Sequence, residues 1–219
     1  MDVRLLQLAS PALPVGAYSY SQGLEAAVES GEVHDAASAQ RWIGDVLFLS
    51  IASMEAPLLA RMLRAWSDGD RPAVQRWNDE YVASRETAEL RGETLQMGYS
   101  LARLLAELEP EAATGLAVLE QPSFPAVFAC AAAHANVAPR DGLAAYLFAW
   151  IENQALAALK AIPLGQTQGQ ALIRDLAREI PAIVESALDL PEEELSNFAP
   201  GLALASSRHE TQYSRIFRS

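Results

Sequence analysis

Asp35-Ala-Ala-Ser-Ala-Gln-Arg-Trp-Ile-Gly-Asp-Val-Leu-Phe-Leu-Ser-Ile-Ala-Ser53 decides the fold class. Trp42, Ile43, Val46, Leu47, Leu49 and Ile51 recur at steps of three and four, the period that gathers apolar side chains on one face of an α-helix. Asp35 stands where a side-chain oxygen can cap the first free amides of that helix.

The same grammar continues downstream. Pro57 suits the first turn of a second helix running through Leu58, Leu59, Met62, Leu63 and Trp66 and stopping at Asp68-Gly69-Asp70. Pro72 opens another, carrying Val74, Trp77, Tyr81 and Val82. A polar stretch from Ser84 to Thr94 then gives way to Leu95, Met97, Leu101, Leu104, Leu105 and Leu108. Beyond Pro110, Phe124 to Ala135 reads as a buried helix, and Pro139 starts a long one through Tyr146, Trp150 and Leu159. Ile162-Pro163-Leu164-Gly165 ends that helix, and Gln168 to Leu188 gives one more amphipathic segment. No stretch alternates with a strand period and β-branched residues are sparse. The expected fold is all-α: a single globular domain spanning 1–219, of roughly eight to ten helices.

Charge and composition narrow the function classes. Twenty-eight acidic residues against sixteen basic ones leave a net charge of −12, which repels a phosphate backbone, and the arginines are scattered from Arg4 to Arg218. Nucleic acid is therefore not an expected ligand. No apolar run approaches the roughly 18 residues of a membrane span, and MDVRLLQLASPALP lacks a secretory pattern, so a cytoplasmic location is expected. One cysteine, Cys130, allows no internal disulfide.

Catalytic and metal constellations are thin. There is no phosphate-binding G-x-x-x-x-G-K-[ST] loop, H-E-x-x-H helix, C-x-x-C pair or G-x-S-x-G elbow. Glu25 and Glu29, or Glu86, Glu89 and Glu93, fall at helical spacings. With Arg85 and Arg91 interleaved, the second set reads as a solvated ion-pair face rather than paired catalytic carboxylates. Cys130 and His134 could present two metal ligands from one helix, but their alanine-rich surroundings favour a packed thiol and a satisfied histidine. No catalytic, cofactor-binding or metal-ligating residue is assigned. The alternative is a helical enzyme or metal-binding protein built on one of these pockets. Lys160, the sole lysine, lies near a helix end, where it can serve the terminal carbonyls or meet a partner.

Two segments carry binding composition instead. Arg208-His-Glu-Thr-Gln-Tyr-Ser-Arg-Ile-Phe-Arg-Ser219 sets Tyr213, Ile216 and Phe217 among three arginines. If helical, it would align His209, Tyr213 and Phe217 on one face, either as a basic last turn docked on its own domain or as a surface offered to a partner. Ser10-Pro-Ala-Leu-Pro-Val-Gly-Ala-Tyr-Ser-Tyr-Ser-Gln-Gly-Leu-Glu25 is held outside helix by two prolines and two glycines and concentrates hydroxyls and rings.

With Leu5-Leu-Gln-Leu-Ala9 leading into the second of them, and together with Arg85-Glu-Thr-Ala-Glu-Leu-Arg91 and Ile162-Pro-Leu-Gly-Gln166, these two strings closely resemble the urease accessory protein UreF family, in order along the whole chain. The resemblance implies a non-catalytic, all-α, cytoplasmic maturation factor, chaperone-like and without a cofactor. Such a factor bridges UreD (UreH in some systems) and the GTPase UreG, often as a homodimer, and assists GTP-dependent nickel insertion into apo-urease. By motif position it marks an N-terminal binding segment, 1–24, and a C-terminal tail, 206–219. Pro14, Gly16, Tyr18, Tyr20 and Gln22 in the first, and Arg208, His209, Glu210, Tyr213, Arg215, Phe217 and Arg218 in the second, become partner-binding candidates. Lys160 is placed toward UreG.

Overall fold

Helix nucleation at Asp35 proceeds as the sequence implies. The Ser38 amide donates to the Asp35 carboxylate at 2.8 Å and the Asp35 amide donates to the Ser38 hydroxyl at 3.0 Å, a reciprocal cap. The computed structural model describes residues 3–219, so Met1 and Asp2 of the N-terminal segment lie outside it. Its helices are α1 Val3–Leu8, α2 Leu24–Glu29, α3 Ala36–Val46, α4 Ala56–Asp68, α5 Arg71–Ala83, α6 Ala88–Leu108, α7 Pro110–Thr114, α8 Phe124–His134, α9 Pro139–Ala161, α10 Gln166–Ala177, α11 Ile180–Asp189 and α12 Pro200–His209. The fold is all-α, with no strand among the described residues.

The first departure from expectation lies at Pro57. Helix α3 does not stop near Ser53 but passes through a π-helical stretch, Leu47–Glu55, straight into α4, one rod from Ala36 to Asp68. The Ala56 amide already bonds five residues back, to Ile51. Pro57 has no amide to give the Ser53 carbonyl, and the Ser196 amide donates to that carbonyl instead at 3.1 Å. A long-range donor thus replaces the local one, and the helix survives its proline. The rod is long and apolar enough to cross a membrane, yet 72% of its apolar window is buried inside the fold.

Helix α4 is the axis of the core. Leu58, Leu59, Met62 and Leu63 are fully buried where α5, α8, α9 and α11 pack around it. Helix α8 offers small residues, Ala126, Ala129 and Ala132, so that α4 and α6 can approach it closely. Gly98 of α6 is obligatory there, since a Cβ would lie 2.1 Å from the Pro122 carbonyl oxygen. Phe128 of α8 meets the Tyr146 ring edge-on at 5.1 Å.

Two further boundaries differ. The expected segment from Gln168 to Leu188 is two helices, broken after Ala177, because Pro181 opens α11 in its first turn. The polar stretch from Ser84 to Thr94 is split at Thr87, whose hydroxyl accepts from the Leu90 amide and starts α6.

Candidate functional site

The two segments singled out by composition meet. Gly16 and Gly23 hold positive φ (80° and 78°), turning the chain on either side of the short 3-10 turn Ala17–Ser19. This turn lies beside the tail. The Arg218 amide donates to the Ser19 carbonyl at 2.8 Å, and the Ser219 carbonyl accepts from the Ser21 amide at 2.7 Å and the Ser21 hydroxyl at 2.6 Å.

The tail itself corrects the expectation of a helical aromatic face. Helix α12 ends at His209, and the segment beyond it turns and docks on its own domain. The reason is Glu25, buried in α2, whose carboxylate accepts from the amides of Ile216 at 2.6 Å and Phe217 at 2.8 Å. Those amides therefore have no need of helical carbonyls. His209 is wholly buried between carboxylates, Nδ1 at 2.7 Å from Glu89 and Nε2 at 3.2 Å from Glu25. Arg215 meets the other Glu89 oxygen at 2.9 Å. Phe217 is buried beneath Lys160, whose Nζ lies 4.6 Å from the ring centroid.

Partner-binding candidates are thereby divided. His209, Phe217 and Tyr20 are buried and serve the fold. Glu210 is committed to the Ala88 amide at the start of α6, at 3.0 Å. Pro14, Tyr18, Lys160, Arg208, Tyr213, Arg215 and Arg218 are exposed, with Gly16 partly so. Where the two segments meet, Tyr18, Ile216 and Tyr213 point outward, Tyr213 fully in solvent. Gln22 turns inward instead. It holds φ at 52°, rare for a side-chain-bearing residue, accepts from the Trp150 indole at 2.8 Å and donates to Glu93 at 2.8 Å.

Glu89 and Glu93 do not form the solvated face that their spacing implied, because the tail covers them; only Glu86 of that set is exposed. Glu93 also accepts from the Ser219 hydroxyl at 2.9 Å and is pushed up to about 7 by burial, which the bonds from Gln22 and Ser219 oppose. Burial, together with the Glu93 charge, raises the Tyr20 phenol as well.

Under this junction lies a cavity of about 300 Å³ that nothing in the sequence announced. On its wall Glu55 accepts from Tyr146 at 2.5 Å and Tyr81 at 2.9 Å and pairs with Arg85 at 3.3 Å, all four residues being buried. Arg85 lies over the Tyr81 ring at 4.5 Å, and its Nε has no hydrogen-bond partner. The only available signal was a lone glutamate, Glu55, two residues before Pro57, which carries no spacing pattern.

Cys130 and His134 line a separate open cleft with Arg71 and Glu111. The thiol is buried against the Ala112 carbonyl at 3.4 Å and pushed up to about 12 by that burial, opposed by Arg71, so it is no thiolate at neutral pH. His134 is half-exposed, with Nε2 3.7 Å from Glu109. Among the described residues no three His, Cys, Asp or Glu side chains are placed to hold a metal ion.

The family model described as UreF matches residues 33–177. Urease accessory protein UreF of Azoarcus sp. (strain BH72) is 60% identical over 222 residues, covering 99% of this chain and 95% of that protein. The proteins of the same name from Methylobacillus flagellatus and Cupriavidus necator are 54% and 52% identical, each across 99% of this chain and 97% of its own length. With more than half of the chain matched by the model and nearly all of it by these relatives, the chain belongs to the UreF family of urease accessory proteins.

Proposed function

We propose that this chain is a non-catalytic, cytoplasmic adaptor in urease maturation, bridging UreD and the GTPase UreG and assisting GTP-dependent nickel insertion into apo-urease. A homodimer is the form in which it would do so. The observation that carries the reading is the junction of the two binding segments. Residues about 200 positions apart in the sequence place Tyr18, Tyr213 and Ile216 outward beside Arg215 and Arg218. Exposed rings among arginines are the composition of interface anchors.

Size-exclusion chromatography with light scattering, on the chain mixed with its cognate UreD and UreG with and without GTP and nickel, tests the reading. A ternary complex is expected. Joint replacement Tyr213→Ala and Ile216→Ala is expected to weaken UreD binding about 30-fold or more, the cost of losing a central aromatic anchor. These side chains are solvent-exposed, so the unfolding temperature should not move. Undiminished UreD binding by this variant removes the junction from the account.

Lys160 is the UreG-facing candidate, and here it also covers Phe217. Lys160→Ala is expected to lower GTP turnover or urease activation in the assembled mixture while UreD binding persists. Normal UreG binding, GTP turnover and urease activation would take Lys160 out of that role.

A further inference from the structure

Residues between Leu8 and Gln22 line one side of the junction cavity, and its inner wall is a set of groups whose charges and hydrogen bonds do not close among themselves. Two carboxylates, Glu55 and Glu93, face it against one guanidinium, Arg85, and half-buried Glu152 adds a third acid at the rim. Glu55 is complete, with both oxygens bonded and Arg85 beside it. Glu93 is not, because its donors are a neutral amide and a neutral hydroxyl, and each of its oxygens retains acceptor capacity. Arg85 has the complementary deficit, an Nε–H buried with no acceptor. Rings of Tyr81, Phe124, Phe128, Tyr146 and Trp150 share the remaining wall with aliphatic side chains such as Leu13 and Met97.

We propose that this cavity binds a short aliphatic ammonium compound carrying a hydrogen-bond acceptor, of which an amino alcohol is the simplest form. The ammonium supplies the missing cation at Glu93 and rests against the ring faces, and the oxygen accepts from Arg85. A carboxylate ligand would bring a further negative charge to a wall already in excess of it. A neutral diol would answer Arg85 and leave Glu93 uncompensated. A metal ion would lack its ligand set, since no three-residue group is placed to hold one among the described residues.

Protonation gives the site a sign that can be measured. Glu93 titrates near 7 and is faced by Gln22, Ser219, Glu55, Arg85 and the Tyr20 phenol with its Arg218 partner. Tyr81 and Tyr146, both raised by burial, stay neutral in this range, and Glu25 of α2 and Glu89 of α6, bridged by His209 of the tail, lie alongside. Only ionised Glu93 attracts the ammonium, whose own proton leaves at far higher pH. Affinity therefore rises with pH, by up to about tenfold per unit below 7, and levels off above it.

The test titrates the full chain with 3-aminopropan-1-ol, following ligand NMR and the Trp150 indole resonance from pH 6 to 8. Propan-1-amine, propane-1,3-diol and 3-hydroxypropanoate serve as comparisons. Saturable binding is expected, tightest for the amino alcohol and strengthening with pH. It should weaken at least tenfold in Glu93→Gln, which keeps the bonds to Gln22 and Ser219, and vanish in Ala149→Phe, which fills the space and leaves every charge in place. The proposal is overturned by absence of saturable binding, by equal or tighter binding of 3-hydroxypropanoate, by affinity that falls as pH rises, or by binding unchanged in Ala149→Phe. The wild-type pH series decides the matter even if a variant fails to fold.

Discussion

Glu55→Ala is expected to lower the unfolding free energy by about 3–5 kcal/mol, the cost of stripping one partner from a buried ion pair. Three groups lose their acceptor at once: the Arg85 guanidinium and the hydroxyls of Tyr81 and Tyr146, all buried. The cavity beside them admits water to the abandoned guanidinium, so the loss should fall toward the lower end of that range. Urea denaturation of the wild type, Glu55→Ala and the double variant with Arg85→Leu separates the two contributions. Removing the stranded cation should recover part of the loss, since charge without a partner costs more than no charge. A single-variant loss below about 1 kcal/mol would show that the pair does not hold the junction together.

The second large effect is local. Glu25→Ala removes the carboxylate that receives the Ile216 and Phe217 amides and one nitrogen of His209. Charge-assisted bonds of this kind are worth about 1.5–3 kcal/mol each, more than a short non-helical segment gains elsewhere. Hydrogen exchange on the native protein should show amides between Thr211 and Ser219 losing protection while α4 and α8 keep theirs. Under the adaptor role proposed above, UreD binding should fall in parallel, because Tyr213 and Ile216 no longer have a fixed position. Wild-type exchange rates at Ile216 and Phe217 would mean that the segment is held by Phe217 packing alone.

Much of the architecture was legible because helix signals are local. Pro72 and Pro139 in first turns, the apolar steps of α3, α6 and α8, and Asp35 before its helix each act within a few residues, and these placed their elements. What escaped was decided at a distance. Pro57 reads as a break unless a donor for the Ser53 carbonyl is known, and that donor is Ser196. Tyr213 and Phe217 read as one helical face, yet Glu25 claims the backbone between them and sends the rings in opposite directions. Glu89 and Glu93 look solvated among arginines because nothing local says that a segment over 100 residues away will lie on top of them. The candidate segments were visible by composition, but their meeting was not, and the cavity beneath, walled from several helices and a loop, has no sequence period at all.

That meeting imposes a timetable on the molecule. Ser19 and Ser21 leave the ribosome almost 200 codons before their backbone partners at Arg218 and Ser219. Until then Glu25 waits without the amides of Ile216 and Phe217, Glu93 lacks the Ser219 hydroxyl, and the exposed junction does not exist. A partner that reads the junction consequently engages only chains in which the segment around Ser19 and Ser21 has already met Arg218 and Ser219.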